Sequence, residues 1–594
     1  MNFAEYINRI DKPDYFISSG LNKEMYLDIM DLVLGAYSMN QLQEMVNSYR
    51  DKMIEDIHSF SRLTAALGLL IANGRRKEHM QLWLSMMDCC CRDLHRITGN
   101  MKLDFTVKEI MPVYKAMSPY VSDEKKNQWL NDLKKIEPYV NYRATLDFLP
   151  QEKLHNINVF NMVGEYLRET EGLTDTKEYF KRHWPVQIKK FDKNGMYKDP
   201  NNPMLYDVAT RYSIQLLLFY GYNGEFADIL KENMEKSALF TLFMQSSDFE
   251  LPFGGRSNQF LFGEAYVAGV CEYEARRYKE KGDLKTAGAF KRCAHLAMNS
   301  VMRWINEACP PKHNRNFYPI ESNHGEESYA YYDKYMITLA VNSYQAFLYA
   351  DDSIDEYPCP QECEGYVFET SDDFHKIFAS CMGNFIEIDT HADNHYDSTG
   401  LGRYHKSGIP SELGLSMPFV KHPEYKVAEG LSTENLSICA GWDMGDGQIQ
   451  YLSDISEGFG HSLEIVESSD SVVRFNVVYS GEGIKGCSSL IERYTLDEKG
   501  VYVQSELVNP IVNKVYCRVP IFSTNGKDIG NICGLTDNSV SVQMNDFVYN
   551  VETDGNLQLD GRTIANRNGA YKIADIEKSN CNVLSLRLNL YTGQ

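Results

Sequence analysis

No apolar run in this sequence is long enough to cross a bilayer. The longest, Leu63 to Ala72, is broken by Gly68 and falls well short of the roughly 20 residues a spanning helix needs. The opening stretch MNFAEYINRIDKPDYF mixes charges from the start and lacks the apolar centre of a secretion signal, so a soluble cytoplasmic protein is expected. Any Lys/Arg stripe is missing too: 60 basic residues face 82 acidic ones, for a formal net charge of -22. Such a field repels phosphate backbones and anionic lipid, which argues against nucleic acid and membrane as partners. A small anionic substrate stays open, because a few buried Arg residues can dominate one pocket. The 14 Cys lack the spacing of a disulfide framework and are expected to be reduced. Cys89, Cys90 and Cys91 are consecutive; on a helix they point about 100° apart and cannot converge on one ion. They read as small core fillers, and neither a metal nor another cofactor is expected.

From Leu21 to about Ala350 apolar residues recur at helical spacing, as in Phe60, Leu63, Ala66, Leu67 and Leu70. Stops fall at Asn73-Gly74, Gly172, Gly221 and Gly282. Helix-plus-loop units of typical length divide this span into about a dozen helices, which predicts six hairpins in an (α/α)6 toroid over residues 1–360. A solenoid is the alternative, although no repeat of about 34 to 40 residues is visible. The acidic, proline-broken segment Asp351 to Pro360 marks a boundary. Beyond it Val472 to Tyr479, Val501 to Leu507 and Val583 to Leu590 alternate as sheet faces do. An antiparallel β-sandwich is expected over residues 361–594, making an α+β multidomain chain.

Five stretches concentrate polar, charged and aromatic residues where a toroid would open its cavity. The first is His155, Asn156, Asn158 and Asn161, which are either helix caps or amides for a substrate, with Asn158 the binding candidate. The second is Asp192-Lys193-Asn194-Gly195-Met196-Tyr197-Lys198-Asp199, leading to Tyr206, Asp207 and Arg211. Asp207 and Arg211 lie one turn apart, as a surface ion pair would also lie. The third, Ser247 to Phe260 followed by Glu264, contains Glu250 and Gly254-Gly255-Arg256-Ser257. Its glycines allow a tight turn, and the planar fork of Arg256 suits a carboxylate. The fourth, Glu321 to Tyr335, brings His324, Glu326 and Glu327 beside tyrosines including Tyr332. A fifth, in the β part, runs through His391, Asp393 and His395 to Arg403 and His405. It is read as a loop reaching over the toroid's mouth rather than as a metal site.

In these segments the chain resembles the bacterial family once catalogued as domain of unknown function 2264, part of which is similar to glycoside hydrolase family 154. The resemblance covers most of residues 20 to 420. It rests on the order Asn-rich helix start, Asp-x-Asn-Gly-Met-Tyr loop, Tyr-Asp-x-x-x-Arg helix, Pro-x-Gly-Gly-Arg-Ser loop and Tyr-rich helix. The layout also resembles, more distantly, the heparinase-like toroid polysaccharide lyases, whose Asn-His pair is replaced here by His155-Asn156-Ile157-Asn158. Both resemblances imply a uronic acid in the substrate, in keeping with Arg256 and Arg211. The first implies an exo-acting β-glucuronidase working with two carboxylates, sought among Asp207, Glu250, Glu264, Glu326 and Glu327. The second implies β-elimination with Tyr206 or His324 as base. A silent glycan-binding protein is the third alternative, and an exposed β domain is compatible with a homo-oligomer.

Overall fold

Several helices in this chain start where a short polar side chain caps them. Ser38, Asp56, Ser122 and Asp283 each accept a hydrogen bond from the third backbone N–H of the helix that follows. The computed structural model describes residues 1–99, 101–145, 155–363 and 365–593. The helices are α1 (Phe3–Arg9), α2 (Glu24–Leu34), α3 (Met39–Tyr49), α4 (Ile57–Ala72), α5 (Met80–Leu94), α6 (Thr106–Met117), α7 (Asp123–Leu133), α8 (Pro138–Asn141), α9 (Asn156–Glu169), α10 (Lys177–Ile188), α11 (Met204–Phe219), α12 (Ala227–Met244), α13 (Phe262–Glu280), α14 (Leu284–Asn306) and α15 (Tyr332–Tyr349).

Helices α4, α6, α9, α11, α13 and α15 each pack on the next, and α15 returns to α4. That closure makes a ring and rules out a solenoid. Helices α2, α5, α7, α10, α12 and α14 lie outside it. The difference shows in burial: α4 is buried almost all round, whereas α7 buries only Trp129 and Leu133. The inner helices are parallel, since each returns through an outer helix; Leu205 of α11 lies over Gly263 of α13, and Gln215 Nε2 donates to Glu274 Oε1 at 3.2 Å further along both. All six N-termini therefore open on one end of the ring. Cys89, Cys90 and Cys91 are buried in α5, with Cys90 3.5 Å from Thr64.

The β part begins with β1 (Tyr366–Glu369), β2 (Lys376–Cys381), β3 (Asn384–Asp389) and β4 (Gly400–Lys406), followed by the one-turn α16 (Ser411–Gly414). Further on are β5 (Ala440–Asp443), β6 (Ile449–Tyr451), β7 (Gly460–Ser468), β8 (Val473–Ser480), β9 (Ser489–Asp497), β10 (Gly500–Val508), β11 (Lys514–Thr524), β12 (Asn531–Thr536), β13 (Ser539–Met544), β14 (Phe547–Thr553), β15 (Asn556–Ala565), β16 (Ala570–Ser579) and β17 (Val583–Thr592). The expected sandwich is formed by an eight-stranded sheet, β12-β13-β14-β17-β10-β9-β8-β7, and a five-stranded sheet, β15-β16-β11-β5-β6. Strands β1 to β4 make a third antiparallel sheet, buried on both faces. Phe368, Phe378 and Phe385 enter the core of the ring, while the alternating Val367, Ile377, Ala379 and Ile386 enter the core of the sandwich. This sheet joins the two parts and fixes how the sandwich sits over the ring.

Candidate active site

Six helix N-termini meet at the mouth of the ring, and each directs the positive end of its dipole toward that space. The β part covers the side formed by the loops before α11, α13 and α15. There Ser371 Oγ donates to Asp192 at 2.5 Å, Asn202 Nδ2 to the Asp373 carbonyl at 2.7 Å, and Gly255 N to Asp397 at 2.8 Å. The other side is formed by the starts of α4, α6 and α9, with His58, Phe105 and His155; His58 packs edge-on against Phe105.

An unbroken series of contacts runs through this mouth. His155 Nδ1 is 2.9 Å from Asn156 Oδ1 and 3.5 Å from Asp199 Oδ1, so Nε2 faces away from both, and the side chain is 31% exposed. Asp199 accepts from the Asn156 N–H at 3.1 Å and from the Arg256 guanidinium. Arg256 also donates to the Pro200 carbonyl at 2.6 Å and lies over the ring of Tyr206, 4.6 Å from its centroid. Ser257 Oγ shares hydrogen bonds with the hydroxyls of Tyr206 (3.0 Å) and Tyr329 (2.8 Å). Burial raises the Tyr206 hydroxyl above its ordinary pKa, while Arg256 and Ser257 work the other way.

This loop is held in costly backbone geometry. Phe249, Ser257 and Gln259 adopt φ of 67°, 54° and 66°, beside Gly254 and Gly255 at 144° and 78°. What holds it is an ion pair: the Ser257 N–H donates to Glu327 Oε1 at 2.5 Å, and Arg567 grips Glu327 with two hydrogen bonds of 2.8 Å. Arg567 stands in the turn between β15 and β16, so the sandwich props the catalytic-candidate loop from behind.

The other residues singled out in the sequence are placed differently. Asp207 and Arg211 form a sealed ion pair, 0% and 1% exposed, in which Asp207 also accepts from the Tyr197 N–H at 2.7 Å and Arg211 donates to Thr241 on α12 at 2.7 Å. They brace α11 to its neighbours, buried away from the mouth. Glu250 and Glu264 share Arg315: Glu250 lies 3.2 Å from its Nε, and Glu264 pairs with its other end. Burial raises the Glu264 carboxyl, against the pull of Arg315. Arg403 belongs to the same buried layer, 3.2 Å from Glu387 and donating to the Leu251 carbonyl at 2.9 Å. His405 sits between Ser246 and Ser416 at 3.0 and 3.2 Å, and burial drives its pKa far down. Glu326 is 2.9 Å from His313. His324 stacks on Tyr318 at 4.0 Å, and burial, with Lys312, Arg567 and Lys426 nearby, lowers it to about 4. Asn158 is fully buried and accepts from Tyr179 of α10 at 3.0 Å, which is not the substrate-facing place expected of it. Tyr332 donates to the Pro311 carbonyl at 2.9 Å. His391 stacks on Phe459 whereas His395 pairs with Asp393 at the surface. Among the described residues no three His, Cys, Asp or Glu side chains are grouped to hold a metal ion, and no helix is long and apolar enough to cross a membrane.

Sequence reading passed over Arg567, Arg315 and Asp104. The run Lys312-His313-Asn314-Arg315-Asn316 was a usable signal, being dense in donors in the connection between α14 and α15. Arg567 gave none, because Asn566-Arg567-Asn568-Gly569 reads as an ordinary hairpin turn.

No family model matches the chain, and no curated protein matches it either. Solved structures similar to it include a heparan sulfate lyase mutant from Pedobacter heparinus, at 12% identity and a TM-score of 0.45, covering 100% of this chain and 88% of that one. A chondroitin AC lyase mutant from Streptomyces coelicolor matches at 10% identity and 0.46, covering 95% and 82%. A glycosyl hydrolase family 88 protein from Bacteroides vulgatus matches at 10% identity and 0.38, covering 55% of this chain and 100% of that one. These are likenesses of outline and say nothing about chemistry.

Proposed function

We propose that this protein is an enzyme acting on a uronic-acid-containing oligosaccharide in the mouth of the ring, by β-elimination. The observation that carries the reading is the series His155, Asp199, Arg256, Tyr206, Ser257, Tyr329, which gathers proton-transfer groups, a cation and sugar-sized aromatic faces, with His155 and Tyr329 open to solvent. His155 Nε2 takes the proton on the carbon next to the uronate carboxyl, with Nδ1 oriented by Asn156 and Asp199. Arg256, assisted by the helix N-termini, steadies the negative charge that develops on that carboxyl. Tyr206 donates its proton to the departing oxygen, and Ser257 sets the direction of its O–H. Tyr329, 42% exposed, and Tyr331, 47% exposed, offer faces for sugar rings.

Elimination moves ahead of hydrolysis because Asp207, Glu250, Glu264 and Glu327 are each locked against an Arg and Glu326 against His313. Release of a terminal glucuronic acid by hydrolysis is the second reading, favoured by one group. Asp104, just before α6, is pushed up to about 7 by burial, with Asn161 and Ala144 donating to it. A carboxyl protonated near neutrality suits a general acid, with Asp199 as its partner. Incubation with glucuronic-acid-capped and internal-uronate oligosaccharides separates the two. The ultraviolet absorbance of an unsaturated uronate marks elimination and disappears in H155A; free glucuronate without that absorbance, lost in D104N, replaces it with hydrolysis. No product from either substrate sinks both.

A further inference from the structure

One turn inside the mouth the ring carries a group of charges that the reaction above does not use. Arg62 stands on the second turn of α4, and Lys108 and Glu109 on the first turn of α6. Around them are Phe160 of α9, Tyr212 of α11 and Thr338 of α15. Arg62 donates to Thr338 Oγ1 at 2.7 Å. Its Nε is 3.8 Å from Glu109 Oε1, and among the described residues that buried Nε has no hydrogen-bond partner. Lys108 Nζ is 3.6 Å from the same Glu109 oxygen and lies over the rings of Phe160 and Tyr212, 5.3 and 5.4 Å from their centroids. Side-chain exposures are 7% for Arg62, 3% for Lys108 and 9% for Glu109.

Two buried cations thus share one carboxylate oxygen, and an unbalanced buried charge is expensive unless an anion answers it. The six helix N-termini above add positive potential of the same sign. Beneath the group is a cavity of about 20 Å³ lined in part by Lys108, Glu109, Pro112, Tyr212 and Leu216, room for roughly one water and not for a sugar. The charges form a floor.

We propose that Arg62 and Lys108 form an oxyanion subsite on this floor, which takes one carboxylate or sulfate of the sugar bound deepest in the mouth. The subsite rests on the mouth being the ligand site, but it does not require elimination or any other turnover. It sets specificity: a neutral sugar at the bottom would leave the two cations sharing Glu109 alone.

Calorimetric titration of the full-length protein tests it with three disaccharides: one ending in glucuronic acid, its methyl ester, and one without a uronate that carries a 6-sulfate. Wild type is expected to bind at least one charged ligand roughly tenfold or more tighter than the ester, and the stronger of the two identifies the oxyanion read. Arg62→Met and Lys108→Met should each cut that preference at least tenfold while changing ester affinity far less, and Arg62→Lys should keep most of it. Should one variant fail to fold, the other two still decide. A wild type indifferent to charge, or variants that keep the full preference, would overturn the subsite. Loss of unsaturated product with the charge preference intact would instead count against the elimination reading alone.

Discussion

His155 owes its proposed role to its neighbours. Asn156 and Asp199 turn Nδ1 inward, and Asp199 is fixed in turn by Arg256 and by a backbone N–H at the start of α9. An imidazole oriented in this way is ready to exchange a proton at Nε2. His155→Ala is expected to lower kcat by roughly 10²- to 10⁴-fold, the usual range for a positioned acid or base, with a much smaller change in KM. Tyr206→Phe removes only the hydroxyl shared with Ser257 and should fall in the same range while the protein melts as wild type does. Steady-state kinetics on the eliminated substrate, beside thermal melts, check both; a kcat within threefold of wild type in either would remove that residue from the mechanism.

The loop before α13 is the element on which the site depends, and its glycines hold positive φ values that a side chain would turn into strain. Gly255 has φ of 78°, and a Cβ there would come 2.4 Å from Cβ of Pro203. Gly255→Ala should therefore cost about 1 to 3 kcal/mol in stability and displace Arg256 from Tyr206, lowering activity by more than the lost stability explains. Deep in the ring, Gly68 of α4 shows the opposite pattern. A Cβ at Gly68 would meet Trp83 of α5 at 2.2 Å and Val113 of α6 at 2.4 Å, so Gly68→Ala should destabilise by a similar amount through overpacking while kcat per folded molecule stays near normal. Melting curves and active-fraction kinetics on the two variants distinguish a loop that serves the site from a contact that serves the ring.

Over the whole molecule, ring and sandwich share buried charges and should unfold together. Arg567 reaches from the sandwich to Glu327, Arg403 of β4 to the Leu251 carbonyl before α13, and Glu412 of α16 to Arg303 of α14. Arg567→Met leaves Glu327 buried without its partner, an expected cost of about 3 to 5 kcal/mol. Calorimetry should show one transition moved to lower temperature, whereas two separate transitions would contradict shared unfolding. The sandwich also carries a pH dependence of its own. Burial pushes Glu492 up to about 7, with the Tyr494 hydroxyl and the Ala440 N–H as donors. Its folded value lies above the unfolded value of about 4.3, so the folded state holds the extra proton between those limits, and stability falls as pH rises through that window. Glu492→Gln should raise stability by at most about 4 kcal/mol near pH 8.5 and change little near pH 4, which melts across that range would reveal.

Much of this was legible in the sequence because it depends on near neighbours along the chain. The helical period of α4 and α13, the glycine stops, the alternation in β8, β10 and β17, and the Gly254-Gly255 turn all follow from spacing and backbone preference. The segments that supply His155, Asp199, Tyr206, Arg256 and Tyr329 also stood out, since aromatic, amide and charged residues crowd together there. Which of the conspicuous carboxylates stay free was decided only by the tertiary structure. Glu327 is silenced by Arg567, 240 residues away, and Glu264 by Arg315, in a loop beyond the next helix. Asp207 and Arg211 looked from spacing alike a surface pair or a substrate clamp, and burial made them a brace. An ion pair between distant segments leaves no local pattern, because its partners meet only when the ring has closed and the sandwich has settled on it.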